Sequence, residues 1–141
     1  MKNFNAECAE DAEGRRVNLN EISRSIIGAA VEVHRTLGPG LLESVYEEAL
    51  ALELSLRALD VQRQIEVPLT YKGKQLHSRL RLDLLVAGTI IVEVKSVEGI
   101  LKIHAAQLLS YLRLADKRLG LLINFNVSKL LGGVHRVVNA L

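Results

Sequence analysis

The spacing of hydrophobic residues divides the chain into a helical first part and a strand-rich second part. Between residues 18 and 60 apolar residues recur every three or four positions, which predicts α-helix. Asn18, with Glu21 three residues on, is typical of a helix N-cap, and Gly38-Pro39-Gly40 is a stop signal. We therefore predict two helices, the second ending near Asp60. Their predicted apolar faces are Ile22, Ile26, Ile27, Ala30 and Val33 in the first, and Leu42, Val45, Ala49, Leu52 and Leu56 in the second.

From Val61 the apolar residues alternate with polar ones, which predicts β-strands. A turn is expected at Lys72-Gly73-Lys74 and a tighter one at Gly88, so the strands should form hairpins. In the middle strand, alternation places one set of side chains on one face and a second set on the other. The first set is Leu80, Leu82 and Leu84, and the second is Arg79, Arg81 and Asp83. The predicted strands are 61–71, 75–86 and 89–95.

The last third of the chain predicts a helix over 103–115 and a strand over 119–125 that is buried on both sides. Residues 134–138 suit a short strand or helix. The predicted order is α-α-β-β-β-α-β, an α/β (α+β) fold with a mixed β-sheet flanked by helices. The helix should bury Ala105, Leu108, Leu109 and Leu112 and carry His104, Gln107 and Tyr111 on another face.

Composition narrows the class of protein. The 141 residues, 49% of them hydrophobic, suit one domain, predicted over 18–141, after a flexible leader over 1–17. No apolar run approaches the roughly 20 residues of a membrane span, and residues 1–16 have no apolar core of a secretory signal. We therefore expect no membrane association and take the cytoplasm as the location. The single cysteine, Cys8, offers neither an internal disulfide nor a zinc site.

Charge is distributed unevenly along the chain. Residues 1–70 contain 7 Lys and Arg against 12 Asp and Glu, whereas residues 71–141 contain 11 against 4. The basic second half suggests a polyanion such as nucleic acid as partner, although a face of solvated lysines and arginines is the commoner meaning of such a distribution. Its main candidates are Lys72, Lys74, Arg79, Arg113, Lys117 and Arg118.

The strongest candidate for chemistry is the set Asp83, Glu93 and Lys95. The turn at Gly88 places two strands side by side, and Glu93 and Lys95 share a face because strand side chains repeat every two residues. Two carboxylates beside an ammonium suit a hard cation such as Mg²⁺. The lysine could then orient or deprotonate a water, or offset charge that develops at phosphorus. The simpler alternative is a cross-strand salt bridge in which Asp83 or Glu93 pairs with Lys95 or Arg81.

Other polar residues have structural interpretations. Glu43 could simply begin its helix, where a carboxylate is favoured, and Glu47 is expected to face solvent. Tyr46 is expected to pack. His34 and His104 lack the second ligand of a transition-metal site and should lie on helix surfaces or cap them. No phosphate-loop, nucleophile-elbow or dinucleotide-binding glycine pattern is present.

The strand pair Arg81-Leu-Asp83-Leu-Leu-Val and Ile91-Val-Glu93-Val-Lys95 resembles the core of the PD-(D/E)XK nuclease superfamily. A narrower resemblance concerns Gly40-Leu-Leu-Glu43-Ser-Val-Tyr46, which is similar to the signature of the GxxExxY protein family. Three further segments are similar to that family. They are 26–40, His104-Ala-Ala-Gln107-Leu-Leu-Ser-Tyr111-Leu and Gly120-Leu-Leu-Ile-Asn-Phe125.

This resemblance implies a restriction-endonuclease-like fold and Mg²⁺-dependent (or Mn²⁺-dependent) hydrolysis of phosphodiester bonds in DNA or RNA, leaving a 5′-phosphate. It makes Asp83, Glu93, the Val94 carbonyl and Glu43 the metal site, with Lys95 as catalytic lysine. Gln107 and Tyr111 would contact substrate, or alternatively form a structural hydrogen-bonded pair. A non-catalytic module that binds nucleic acid or protein on the same fold stays the alternative, and a homodimer is left open.

Overall fold

The computed structural model describes residues 8–10 and 16–140, with side chains from Asn18 onward. The helices are α1 (Leu19–Leu37), α2 (Glu43–Leu56) and α3 (Lys102–Leu114), and a short 3₁₀ helix spans Leu130–Gly133. The strands are β1 (Cys8–Glu10), β2 (Arg16–Asn18), β3 (Val61–Tyr71), β4 (Lys74–Val86), β5 (Ile90–Lys95), β6 (Leu119–Asn124) and β7 (Val134–Val138).

Part of the expected leader forms secondary structure. β1 and β2 pair antiparallel as a separate two-stranded sheet, with Cys8 opposite Asn18. The rest of residues 1–17 lies outside the described residues, so the flexibility expected of this segment stays a prediction.

The first helix begins and ends where the sequence predicts. The Asn18 side chain accepts hydrogen bonds from the backbone N–H groups of Asn20 and Glu21, at 3.0 and 3.3 Å. At the other end Gly38 has a φ of 73°, which a glycine adopts without strain, and its N–H donates to the His34 carbonyl. Ile26, Ala30 and Val33 are buried, as predicted.

The predicted buried face of α2 is wrong. Leu42 and Leu56 are 73% and 72% exposed, and Val45 and Leu52 are exposed too. α2 contains a second apolar set about a third of a turn away, and this set faces the sheet. Tyr46, Leu50, Ala51 and Leu54 are the apolar residues that α2 buries.

The main sheet has the strand order β3-β4-β5-β6-β7. All neighbours pair antiparallel except β5 and β6, which are parallel and joined by the crossover through α3. This mixed sheet with flanking helices confirms the predicted fold class and the helix-strand order. The final element, which the sequence left as strand or helix, is strand β7.

Two hydrophobic cores lie on opposite faces of the sheet. On β5, Val92 and Val94 belong to the core under α1 and α2, whereas Ile91 belongs to the core under α3. β6 is buried along its whole length, as predicted. α3 packs so closely on β6 that a Cβ added to Gly120 would lie 2.9 Å from Leu108, which explains a glycine in a buried strand. The site strand β5 is therefore held from both sides.

The middle strand differs from its prediction. Leu84 packs in the core under α1 and α2, but Leu80 and Leu82 pack in the core under α3. The expectation that these three leucines share one environment is therefore wrong. The leucines change from one core to the other at Asp83. Gln64 lies opposite Asp83 on β3, and the φ of Gln64, 50°, departs from strand geometry. A local distortion at this pair turns the outer part of the β3–β4 hairpin towards α3.

None of the helices among the described residues is both long and apolar enough to cross a membrane.

Candidate active site

The candidate site lies where β4 and β5 separate. These strands pair only from Leu84 opposite Val92 to Val86 opposite Ile90, next to a turn in which Ala87 and Gly88 both have positive φ. Consecutive positive φ values are typical of a type I′ turn, which twists with the strands it joins. Beyond Leu84 the ladder stops and leaves a fork between the strands.

Two carboxylates fill this fork and replace the missing ladder. The backbone N–H of Asp83 donates to Oε1 of Glu93 at 3.2 Å, and the N–H of Val94 donates to Oδ2 of Asp83 at 3.0 Å. Each strand is thus held by the side chain of the other. Because the N–H and C=O of a strand residue point to the same neighbour, the Val94 carbonyl should also face Asp83. The structure brings Asp83, Glu93 and Val94 together.

Burial makes Glu93 an unusual carboxylic acid. Its side chain is largely withdrawn from water, the residue being 8% exposed, and α3 covers this face of β5. Burial first, and then the charge of Asp83, raise the pKa of Glu93 to about 8, while Lys95 acts to lower it. A second carboxylate beside a buried one is unfavourable unless a proton or a cation intervenes.

Lys95 follows Glu93 on the same face of β5 and is half-buried. Its carbonyl accepts a hydrogen bond of 2.9 Å from Phe125, which fixes this end of the strand to β6. Among the described residues its ammonium forms no ion pair, and Arg81 pairs instead with Glu66 at 3.5 Å. The cross-strand salt bridge considered from sequence is therefore absent from the described residues.

Glu43 reaches the site from the start of α2. Its Oε1 accepts a hydrogen bond of 3.4 Å from the N–H of Ser96, the residue directly after Lys95. The Ser96 hydroxyl in turn donates to the Leu41 carbonyl at 2.6 Å. These contacts join the loop before α2 to the end of β5, so Glu43 lies at the edge of the fork.

The glycine and tyrosine of the 40–46 motif explain how Glu43 is held. Gly40 has a φ of 95°, which strongly favours glycine. Tyr46 is fully buried and stacks on Phe125 with ring centroids 4.5 Å apart. Its hydroxyl donates to the Gly38 carbonyl at 2.5 Å and accepts from the Leu41 N–H at 3.0 Å. The packing role expected of Tyr46 is confirmed.

Replacing Tyr46 by phenylalanine tests this anchor. The ring stack would remain, but the Gly38 carbonyl and the Leu41 N–H would lose their partner, so we expect the free energy of unfolding to fall by about 1–2 kcal/mol. Urea denaturation measures this change in the free energy of unfolding. Tyr71→Phe is the control, because Tyr71 is exposed, and should change stability by less than about 0.5 kcal/mol. Equal effects of the two substitutions would contradict an anchoring role.

The expectation that Glu47 faces solvent is wrong. Glu47 is 7% exposed, accepts from the Gln64 amide at 2.6 Å and pairs with Arg63 at 3.1 Å. A shallow cleft of about 220 Å³ lies here, between the start of α2 and the fork. Sequence reasoning missed Glu47 and Gln64. One signal was available for Glu47, since it lies one helical turn after Glu43 and so on the same side of α2. The cleft is lined by Glu43, Ser44, Glu47, Gln64, Asp83 and Val94.

The α3 residues contribute from the opposite side of β5. The Gln107 amide donates to the Tyr111 hydroxyl at 2.8 Å, within one helix. Burial, followed by the charge of Glu93, raises the pKa of Tyr111, which places that hydroxyl in the electrostatic field of the site. His104 caps α3 by accepting the Leu101 N–H, and Nε2 of His34 donates to the Val127 carbonyl. His104 thus has the capping role expected, whereas His34 connects α1 to the loop after β6 instead of lying free on the helix surface.

The donor chemistry of the fork fits a hard divalent cation. Within the described residues no group of three or more His, Cys, Asp and Glu side chains is arranged to hold a metal ion. Mg²⁺, however, is commonly bound through one or two carboxylates together with waters and substrate phosphates. Asp83 and Glu93 supply such a pair, and a cation between them would offset the burial and the repulsion by Asp83 that raise the pKa of Glu93.

The fold and the fork together define a restriction-endonuclease-like α/β domain. The family model described as the PD-(D/E)XK nuclease superfamily matches residues 20–137. The chain therefore belongs to the PD-(D/E)XK nuclease superfamily, whose members generally use divalent metal ions. No curated protein and no solved structure matches the chain.

Proposed function

We propose that this protein is a Mg²⁺-dependent (or Mn²⁺-dependent) nuclease that hydrolyses phosphodiester bonds in DNA, and that within the superfamily it is a GxxExxY protein. The observation that supports this most is the fork, in which Asp83 and Glu93 take the place of backbone hydrogen bonds. A structural sheet has no need of two carboxylates there, because ordinary ladder bonds carry no cost of burying charge.

Each residue has a distinct role in this proposal. Asp83, Glu93 and the Val94 carbonyl would hold the cation, and Glu43 would act on it through water from the edge of the cleft. When bound, the cation would polarise the scissile phosphate and lower the pKa of the attacking water.

Lys95 supplies a charge that is not a metal ligand. It lies two residues after Glu93 on the same strand face and directly before Ser96, whose N–H donates to Glu43. From there its ammonium would orient the attacking water or offset negative charge that develops at phosphorus. On the other side of β5, Gln107 and Tyr111 would contact the substrate.

Titration of Mn²⁺ into the purified protein tests the first part of this proposal. We expect saturable binding with a stoichiometry near one in the wild type and its loss in Asp83→Asn, because that change removes one of two anionic ligands. Glu98→Gln, which removes an exposed carboxylate outside the cleft, is the matched control and should bind as the wild type does.

Cleavage of duplex DNA in the presence of Mg²⁺ or Mn²⁺ tests the second part. The product ends should carry 5′-phosphates, so that ligation does not require prior phosphorylation. Absence of both metal binding and cleavage would favour the non-catalytic binding module instead.

A further inference from the structure

The β3–β4 hairpin continues well beyond the rest of the sheet. β4 pairs with β5 only over Leu84–Val86, whereas β3 and β4 stay paired as far as Tyr71 opposite Lys74. We call residues 66–81 the hairpin arm. Residues 70–79 are exposed without exception, which corresponds to a two-stranded ribbon of about 15 Å that protrudes from the domain.

The charge of the hairpin arm is one-sided. The arm contains four basic residues and one acidic residue, Glu66, so its net charge is +3. The basic residues are Lys72, Lys74, Arg79 and Arg81. At its tip the Lys72 ammonium lies 5.4 Å from the centre of the exposed Tyr71 ring. An exposed cationic ribbon of this kind is complementary to a polyanion such as nucleic acid.

The arm also has a defined direction relative to the site. Arg79 and Arg81 alternate along β4 with Leu80 and Leu82, so the two arginines share one strand face at a spacing of about 6.6 Å. Leu80 and Leu82, which alternate with them, are buried under α3. The two guanidinium groups therefore form a row along β4 that begins two residues before Asp83 and leads away from the fork.

The present partner of these arginines is weakly held. Glu66 lies 3.5 Å from Arg81 and 3.9 Å from Arg79, and all three side chains are at least half exposed. Exposed pairs of this kind contribute at most about 1 kcal/mol. A phosphate that offers bidentate, charge-assisted hydrogen bonds would compete effectively with Glu66 for both guanidinium groups.

We infer that the hairpin arm binds duplex DNA alongside the cleft, with Arg79 and Arg81 on the phosphate backbone and the tip at a groove. This inference rests on the proposed function and adds the path of the substrate. A two-stranded ribbon fits the major groove of B-form DNA, whereas the major groove of duplex RNA is too deep and narrow for side chains to read.

Binding of a short duplex DNA, measured by fluorescence anisotropy in EDTA over a salt series, tests the inference without cleavage. Arg79→Gln/Arg81→Gln should weaken binding about tenfold or more and reduce the slope of log K against log salt by about 2, one unit for each phosphate that an arginine no longer neutralises. The matched control is Arg24→Gln/Arg35→Gln, which removes two exposed arginines from α1 and should leave the slope unchanged.

Removal of a negative charge from the arm, which should strengthen binding, provides a second, independent test. Glu66→Gln frees both arginines and removes the only anion of the arm, so DNA affinity should rise several-fold. Glu32→Gln is its control, because Glu32 forms an equivalent exposed ion pair with Arg35 on α1 and the net charge changes equally. Melting temperatures of all variants should stay close to that of the wild type, since every substituted side chain lies at the surface or in an exposed pair.

The outcomes separate this inference from the proposed function. A wild type that cleaves DNA, together with arm variants that bind as it does, would overturn the inference and leave the nuclease assignment intact. DNA binding that depends on the arm, without any cleavage, would support the inference and overturn the nuclease assignment. Tighter binding of duplex RNA than of duplex DNA, or no nucleic-acid binding at low salt, would also refute the inference.

Discussion

Lys95→Ala is expected to lower DNA cleavage by at least about 100-fold while the protein stays folded and still binds Mn²⁺. The loss corresponds to a positioned charge or proton-transfer group acting in the transition state. Metal binding should persist because the ammonium is not a ligand, and the fold should persist because Lys95 forms no ion pair with the described carboxylates. Cleavage rates at saturating metal, Mn²⁺ titration and melting temperature measure the three properties.

Two further variants make this prediction specific. Lys129→Ala removes an exposed lysine from the loop before the 3₁₀ helix and should cleave at the wild-type rate. Lys95→Arg keeps the charge but cannot release a proton at ordinary pH. Substantial rescue by arginine would assign charge stabilisation to Lys95, and no rescue would assign proton transfer or strict geometry. Unchanged cleavage in Lys95→Ala, with a wild type that cuts, would refute either role.

Glu93→Gln should abolish cleavage and make the protein more stable at alkaline pH. The pKa of Glu93 is about 8 in the folded chain, above its ordinary value of 4.5. The folded state therefore holds the proton more tightly, and stability is lost as the pH rises from about 4.5 to 8. Glutamine keeps the acceptor for the Asp83 N–H but cannot ionise. The variant should thus gain on the order of 3–5 kcal/mol relative to the wild type above pH 8 and little at pH 4.

Urea denaturation at several pH values, with and without Mn²⁺, checks this result. Mn²⁺ should stabilise the wild type more as the pH rises, because binding requires the deprotonated carboxylate, and should not stabilise Glu93→Gln. Glu98→Gln should follow the wild type at every pH. Parallel pH profiles of wild type and Glu93→Gln would mean that Glu93 is not held neutral by its surroundings.

Local signals in the sequence predicted the secondary structure well. The Asn18 cap, the stop at Gly38 and the turns at Gly73 and Gly88 all lie where expected. Each of these features depends on the backbone preferences of one or two residues, which a sequence displays directly. Alternation likewise predicted that Glu93 and Lys95 share one face of their strand, because the period of a strand is fixed by its geometry.

The candidate site was predicted in part. The hairpin turn and the alternation of β5 were enough to bring Asp83, Glu93 and Lys95 near one another. Glu43 entered only through the resemblance of its motif, since nothing local indicates that the start of α2 lies against Ser96, 53 residues away.

Helix α2 shows where prediction from sequence failed. It carries two apolar sets, and periodicity alone could not decide which one faces the sheet. The stack of Tyr46 on Phe125 selects the set with Leu50 and Leu54, and the same rotation buries Glu47 next to Gln64. A wrong choice of face therefore produced a wrong prediction for a residue of the cleft.

The sequence by itself determined the elements, their order and the strand residues that could carry the chemistry, because these depend on short-range preferences and on the period of helix and strand. Only the tertiary structure decided the rotation of α2, the distortion at Gln64 and Asp83, and the burial that raises the pKa of Glu93. These features arise from contacts between segments distant in sequence, and their energies depend on which groups are excluded from water together.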